Sequence, residues 1–187
     1  MTDPRPTLGL ALDQVGRIID AVRPEQLDLP TPCDEYAVRD LLGHLLSVVR
    51  RIDHALQGGN ALDIPVITTG TDDWSADWKT YRAAADATLA DDTLLTRVCR
   101  LPWGTVPGAG AVAAYSGELT THSWDLATAI SREDLLDPAL AEAVLPTVQQ
   151  FIPADPRGGP IPFGAVVPVP ADATPYVRLA GWMGRRV

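Results

Sequence analysis

Glu118-Leu-Thr-Thr-His122-Ser-Trp124-Asp125-Leu-Ala127 sets a carboxylate and an imidazole four residues apart inside a stretch that reads as one long helix. Residues i and i+4 stack on one helical face, so Glu118 and His122 point the same way and can grip one ion. The chain holds three histidines. A second of them, His44, sits in the middle of another strongly amphipathic stretch, Val38 to Leu56. If these two helices pack side by side, His44, Glu118 and His122 form a site of two imidazoles and one carboxylate. Spacing alone is a weak signal. Glu-x-x-x-His is commonly an exposed pair worth about a few tenths of a kcal/mol, and a histidine among leucines is more often a hydrogen-bonded core residue than a ligand.

Outward from these two stretches the pattern is helical. Leu8, Leu12, Val15, Ile18, Ile19 and Val22 recur at three- and four-residue spacing, which predicts a first helix ending before Pro24. The segment Pro24 to Tyr36 holds three prolines, and its Leu27 and Leu29 are expected to tuck against the bundle. A second helix runs from about Ala37 to Gln57, with Leu41, Leu45, Val48 and Ile52 inward, Arg39, Arg50 and Arg51 toward solvent, and Gly58-Gly59-Asn60 as its end. Trp74, Trp78, Tyr81, Ala85 and Leu89 mark a third helix with Asp72 and Asp73 at its positive end and both tryptophans as buried anchors. Residues 91–110 break the periodicity and read as an extended connection, either a short hairpin or a cover over one end of the bundle. A fourth helix spans about Gly110 to Ile130, and Pro138 opens a fifth that reaches Phe151. Residues 153–175 carry seven prolines, yet Phe163, Val166, Val167 and Val169 make them too apolar for a free linker, so they are expected to lie extended along the surface. A short helix, Tyr176 to Met183, closes the chain. The expected fold class is all-α: a four-helix bundle made of the first four helices, with additional short helices and an extended Pro-rich C-terminal segment. One domain over 1–187 is expected, with 1–152 as the bundle and 153–187 packed on it.

A net charge of -9 and a pI near 4.6 argue against nucleic acid as a partner, because phosphate binding needs clustered cations. No apolar run approaches the roughly 20 residues that span a bilayer, and Met1-Thr-Asp-Pro-Arg5 lacks a signal-peptide core, so no membrane partner and a cytoplasmic location are expected. Two cysteines, Cys33 and Cys99, are too few for a disulfide scaffold and are read as packing thiols. Gly104 to Gly110 lacks the lysine and spacing of a phosphate loop.

Three motifs in order carry a resemblance: Thr31-Pro-Cys33, Val38-Arg39-Asp40-Leu-Leu-Gly-His44-Leu, and the opening Glu118 to Ala127 stretch. The tail Arg178-Leu-Ala-Gly-Trp-Met-Gly-Arg185 is a looser fourth. The chain resembles the DinB-like metal-binding helical bundles of the mycothiol-dependent maleylpyruvate isomerase-like family, an actinobacterial type. The resemblance implies that His44, Glu118 and His122 hold a divalent metal, zinc in first place and nickel or iron as other fits. It also implies mycothiol or a related thiol as cosubstrate. Asp34-Glu35-Tyr36 departs from the usual glycine-tryptophan pattern. Ala37 replaces a capping threonine, so about 1 kcal/mol of capping is either lost or supplied by Asp34. The sequence also ends without the further C-terminal domain of two-domain isomerases, so a pocket completed by such a domain is not expected.

Three protein ligands leave an open coordination position, and a metal there would deprotonate a bound thiol that is otherwise mostly protonated at neutral pH. The leading expectation is therefore a metal-dependent transferase or isomerase in which a small-molecule thiol attacks a small electrophile; a homodimer is compatible with it. The alternatives are a non-catalytic metal-binding bundle that binds or senses a small ligand, and an interaction module with an empty triad. Asp125 lies seven residues, roughly 10 Å, beyond Glu118 and is too far to share the ion. Cys33 stands about 10 Å from His44 unless its loop folds back. Tyr115, one turn before Glu118, could line the pocket or hydrogen-bond a ligand, and Asp40, one turn before His44, could support that imidazole. Trp124 reads as packing, His54 as a solvated helix residue, and Asp125 with Arg39 as an ion pair between helices.

Overall fold

The computed structural model describes residues 2–34, 36–158 and 163–187. Six helices carry it: α1 Arg5–Ile19, α2 Val38–Leu56, α3 Trp74–Leu89, α4 Gly108–Ala129, α5 Pro138–Phe151 and α6 Pro175–Trp182, with the two strands β1 Val98–Leu101 and β2 Gly104–Pro107 between α3 and α4. Local chemistry sets several of the boundaries. Asp73 accepts from the Ala76 N–H to start α3, Asp137 accepts from the Ala139 N–H ahead of Pro138 in α5, and Thr174 caps α6 ahead of Pro175. At α2 the cap residue is Ala37, and Asp40 accepts its N–H at 3.1 Å. The help expected from Asp34 thus comes from Asp40, one turn inside the helix.

The bundle is built around α4, which packs on α1, α2 and α5, while α3 closes against α1 and α2. Its sequence explains this position. Ala111, Val112, Tyr115, Leu119, Leu126 and Ala127 are buried around the helix rather than along one stripe, as a helix surrounded by others requires. Gly117 permits the approach of α5, because a Cβ there would sit 2.5 Å from Val148 Cγ2. The expected all-α bundle of the first four helices is observed, with α5 and α6 added outside.

Residues 91–110 resolve as a hairpin. β1 and β2 pair antiparallel with Cys99 opposite Val106. Their 4-residue strands alternate poorly in polarity, which is why the sequence left hairpin and cover equally open. Three local expectations need correction. Arg51 is 8% exposed and donates to the Ile64 carbonyl at 2.8 and 3.2 Å, because the loop after α2 folds over it. Leu29 stays 39% exposed while Leu27 packs on the core. Trp78 is buried, whereas Trp74, at the first position of α3, is half-buried.

The C-terminal segment is extended where described. It is tied down by Val167 N–H to the Gly181 carbonyl at 2.9 Å and by Trp182 Nε1 to the Ile152 carbonyl at 3.0 Å. Buried Gln14 links three helices, donating to the Tyr176 hydroxyl and accepting the Asp137 N–H, each at 2.8 Å. Among the described residues no helix is long and apolar enough to cross a membrane.

Candidate metal centre

α2 and α4 run against each other, and their contact brings the two stretches of the sequence together. His44, Glu118 and His122 each offer a ligand atom, and these atoms all lie within 4.8 Å of one another. His44 Nε2 stands 3.3 Å from Glu118 Oε1. That is about the edge of a tetrahedron whose ligands sit roughly 2.0–2.1 Å from its centre. The two imidazole rings meet edge to face with centroids 4.9 Å apart. Both histidines are buried, and Glu118 keeps 25% of its side-chain exposure.

The outer nitrogen of each imidazole is already engaged. His44 Nδ1 lies 2.9 Å from the Val66 carbonyl oxygen. A carbonyl can only accept, so Nδ1 carries the proton and Nε2 is left with a lone pair aimed at a carboxylate oxygen. Two acceptors 3.3 Å apart need a cation between them, either a proton or a metal ion. His122 Nδ1 lies 2.9 Å from Asp125 Oδ2. Burial lowers the His122 pKa, against the Asp125 hydrogen bond that raises it, so the ring is neutral at pH 7. Burial would raise the Asp125 pKa, but hydrogen bonds from His122 and Arg185 outweigh it and keep the group ionised. His122 therefore also donates outward and leaves Nε2 free for the cluster. Burial likewise pushes Glu118 up, and a proton shared with His44, with the nearby Arg51 charge, brings it below the ordinary carboxylate range. One anionic oxygen and two imidazole nitrogens with their far sides fixed form a donor set that suits zinc, and suits iron(II) or nickel with expanded coordination.

Asp125 does not pair with Arg39. It is fully buried and receives Arg185 Nε at 3.2 Å and Nη2 at 2.8 Å, whereas Arg39 bonds Asp28 on the surface. The placement of Asp125 three residues after His122 was a readable i, i+3 signal. Arg185 closes the tail motif quoted for the resemblance, but nothing in the sequence ties it to Asp125 sixty residues earlier. Cys33 comes closer than helix rise suggested, because the loop does fold back. Thr31 Oγ1 donates toward the Cys33 and Tyr36 carbonyls, and Cys33 reaches within 4.8 Å of His122 and Asp125. Asp40 is occupied at the start of α2. Tyr115 is buried with its ring edge-to-face on Trp103, centroids 5.7 Å apart. Burial first, then the Glu118 charge, drives its pKa above the ordinary range. Trp124 is packed in the core as expected, whereas His54, expected as a solvated helix residue, is half-buried and meets Asp63 at 3.1 Å.

One side of the cluster opens into a cleft of about 690 Å³ between α4, α5, the hairpin and the C-terminal segment. Glu118 and His122 form part of its floor. Trp103, Val148, Phe151, Phe163 and Met183 form much of its wall, with Thr121, Thr147 and Arg185 as further polar lining. That volume suits a small organic ligand.

Residues 8–127 match the sequence pattern of the family described as the mycothiol maleylpyruvate isomerase N-terminal domain. Two uncharacterized proteins of Mycobacterium tuberculosis, from strains CDC 1551 / Oshkosh and ATCC 25618 / H37Rv, are each 29% identical over 177 residues, covering 95% of this chain and 94% of theirs. Crystal structures of the mycothiol-dependent maleylpyruvate isomerase and of a point mutant of it superpose with a TM-score of 0.53 at 13% and 12% identity, over 81% of this chain and 72% of theirs. At that identity the superposition shows a shared fold. With the matched pattern spanning α2, its histidine and the Glu118–His122 pair, the chain belongs to the mycothiol maleylpyruvate isomerase N-terminal domain family.

Proposed function

We propose that this protein holds a divalent metal, zinc in first place, on His44, Glu118 and His122, and that it joins a low-molecular-weight thiol of the mycothiol type to a small electrophile. Such an ion supplies a Lewis-acidic position that turns a neutral thiol into a thiolate at pH 7. The chain's own residues do the rest. The Val66 carbonyl and the Asp125 carboxylate fix the two imidazoles so that their lone pairs converge. Arg185 holds Asp125 in turn, which makes the C-terminal segment a working part of the same unit. The cleft wall gives the face of the cluster an apolar surround where an electrophile would sit. Sulfur addition to an electrophilic carbon is the reaction class. Retention of the thiol gives a transferase, and its release after bond rotation gives an isomerase.

The observation that carries the reading is the pairing of His44 Nε2 and Glu118 Oε1 at 3.3 Å with the far nitrogen of His44 already hydrogen-bonded. The test is elemental analysis of protein purified without a metal-affinity tag, followed by incubation with mycothiol and an electrophile panel. About one metal per chain is expected, lost in His44→Ala, Glu118→Ala and His122→Ala, together with metal-dependent thiol consumption. Metal-free wild type, or unchanged metal in all three variants, ends the proposal. Full metal with no turnover on any electrophile leaves a binding protein.

A further inference from the structure

The cleft's chemistry narrows what kind of electrophile it can take. Its wall is apolar, and two of the chain's exposed large apolar side chains, Trp103 at 51% and Phe151 at 41%, belong to it. Exposed aromatic surface gathered around one cavity marks a binding face. Among the described residues the lining contains one cation, Arg185, and all three of its nitrogens are engaged: Nε and Nη2 on Asp125, and Nη1 on the Met183 carbonyl at 3.2 Å. Arg157 stands nearby, where it bonds the carbonyls of Pro153, Gly164 and Ile152, and it is not part of the lining. Residues 159–162 read Gly-Pro-Ile-Pro and bring no charge to the chain. The net charge of -9 repels anions at longer range. With the thiol in the metal's open position, a carboxylate entering this space would lose water without gaining an uncommitted partner.

We infer that the cleft selects an uncharged, largely apolar electrophile over a dicarboxylate, with Trp103 and Phe151 as the side chains that recognise it. The inference rests on reading the cleft as the electrophile site, and it sets this chain apart from an enzyme acting on a diacid such as maleylpyruvate.

The experiment separates ligand chemistry from turnover. N-phenyl-1-naphthylamine, a neutral fluorophore, is bound to the purified protein in the presence of mycothiol, which takes the metal's open position, and displaced with diethyl phthalate or with phthalate, which share an aromatic diacyl skeleton, differ by two charges and do not react with thiols. Diethyl phthalate should displace it at least tenfold better than phthalate. Trp103→Ala, on the exposed hairpin, should weaken both neutral ligands at least threefold. Thr147→Arg, which plants a free cation in the wall, should narrow the preference at least fivefold, with circular dichroism as the folding check. With mycothiol present, the preference for diethyl maleate over maleate in kcat/KM should exceed their rate ratio in the uncatalysed addition of mycothiol at least tenfold. Equal or better displacement by phthalate, or failure of the fluorophore to bind, overturns the inference while metal content and thiol consumption still stand or fall by themselves. The neutral preference without turnover on any electrophile supports this inference and ends the proposed reaction instead.

Discussion

Replacing Asp125 with Asn separates the geometry of the metal centre from its ligands. Asp125 is fully buried and touches no proposed ion. It accepts from His122 Nδ1 at 2.9 Å and from Arg185 at 2.8 and 3.2 Å. A carboxylate serves both neighbours because all of its lone pairs accept. An amide cannot. If its oxygen faces His122, its NH₂ group faces the Arg185 guanidinium, donor against donor. If the amide turns over, NH₂ faces Nδ1, that nitrogen becomes the acceptor, and the imidazole proton moves to Nε2, where the metal lone pair is needed. The first outcome leaves Nε of Arg185, a side chain only 11% exposed, without an acceptor. Breaking such a pair from one side costs about 3–5 kcal/mol, and the retained hydrogen bond puts Asn at the lower end. About 3 kcal/mol corresponds to a melting temperature roughly 6–12 °C lower for a chain of this size. The second outcome lowers metal affinity by roughly 10–100-fold, as loss of a carboxylate behind a ligating histidine does. Asp125→Asn is therefore expected to show one loss or the other according to the orientation of the amide, read by thermal melting of the metal-free protein and by zinc competition against a chromophoric chelator. A folded variant with an unchanged melting temperature and zinc affinity within twofold of wild type would refute the reasoning.

Three other perturbations test the packing around the site. Gly43→Ala should destabilise by about 1–2 kcal/mol in urea titration, although Ala is intrinsically better in a helix by about 1 kcal/mol. The new Cβ would press into the Thr68 carbonyl oxygen and lie 2.7 Å from Ile67 Cγ2, displacing the loop whose Val66 carbonyl holds His44; a stabilised variant would contradict this. Among the described residues the buried Tyr115 hydroxyl has no hydrogen-bond partner, so Tyr115→Phe should leave stability unchanged or raise it by up to about 1 kcal/mol. A loss above 1 kcal/mol in the same assay would reveal a bond. Burial pushes the Tyr176 pKa up to about 12 despite its hydrogen bond from Gln14. Because the neutral form is favoured in the folded chain, its contribution is complete below about pH 10 and is lost as pH rises toward 12. Urea midpoints should fall across that window, and less steeply in Tyr176→Phe; parallel curves for the two proteins would exclude the assignment.

Much of the molecule was legible without coordinates, because helices are written locally. Three- and four-residue apolar spacing, Pro138 at a first turn and the acidic pair Asp72 and Asp73 at the start of α3 located the six α-helices to within a few residues. The i, i+4 relation placed Glu118 and His122 on one face, and the motif resemblance named His44 as their companion. What stayed hidden depends on segments that meet without periodicity. The Val66 carbonyl reaches His44 from a loop, Cys33 comes back to His122 because Thr31 folds its own loop, and Arg51 is covered by the chain after α2. Asp125, expected to pair with Arg39 between helices, instead takes Arg185 from the irregular tail sixty residues on. Side-chain direction along a helix is fixed by backbone geometry, so the sequence alone determined which groups could face one another. Which far-off carbonyl or guanidinium answers each buried polar group is set by loop paths and close packing, and only the tertiary structure decided that.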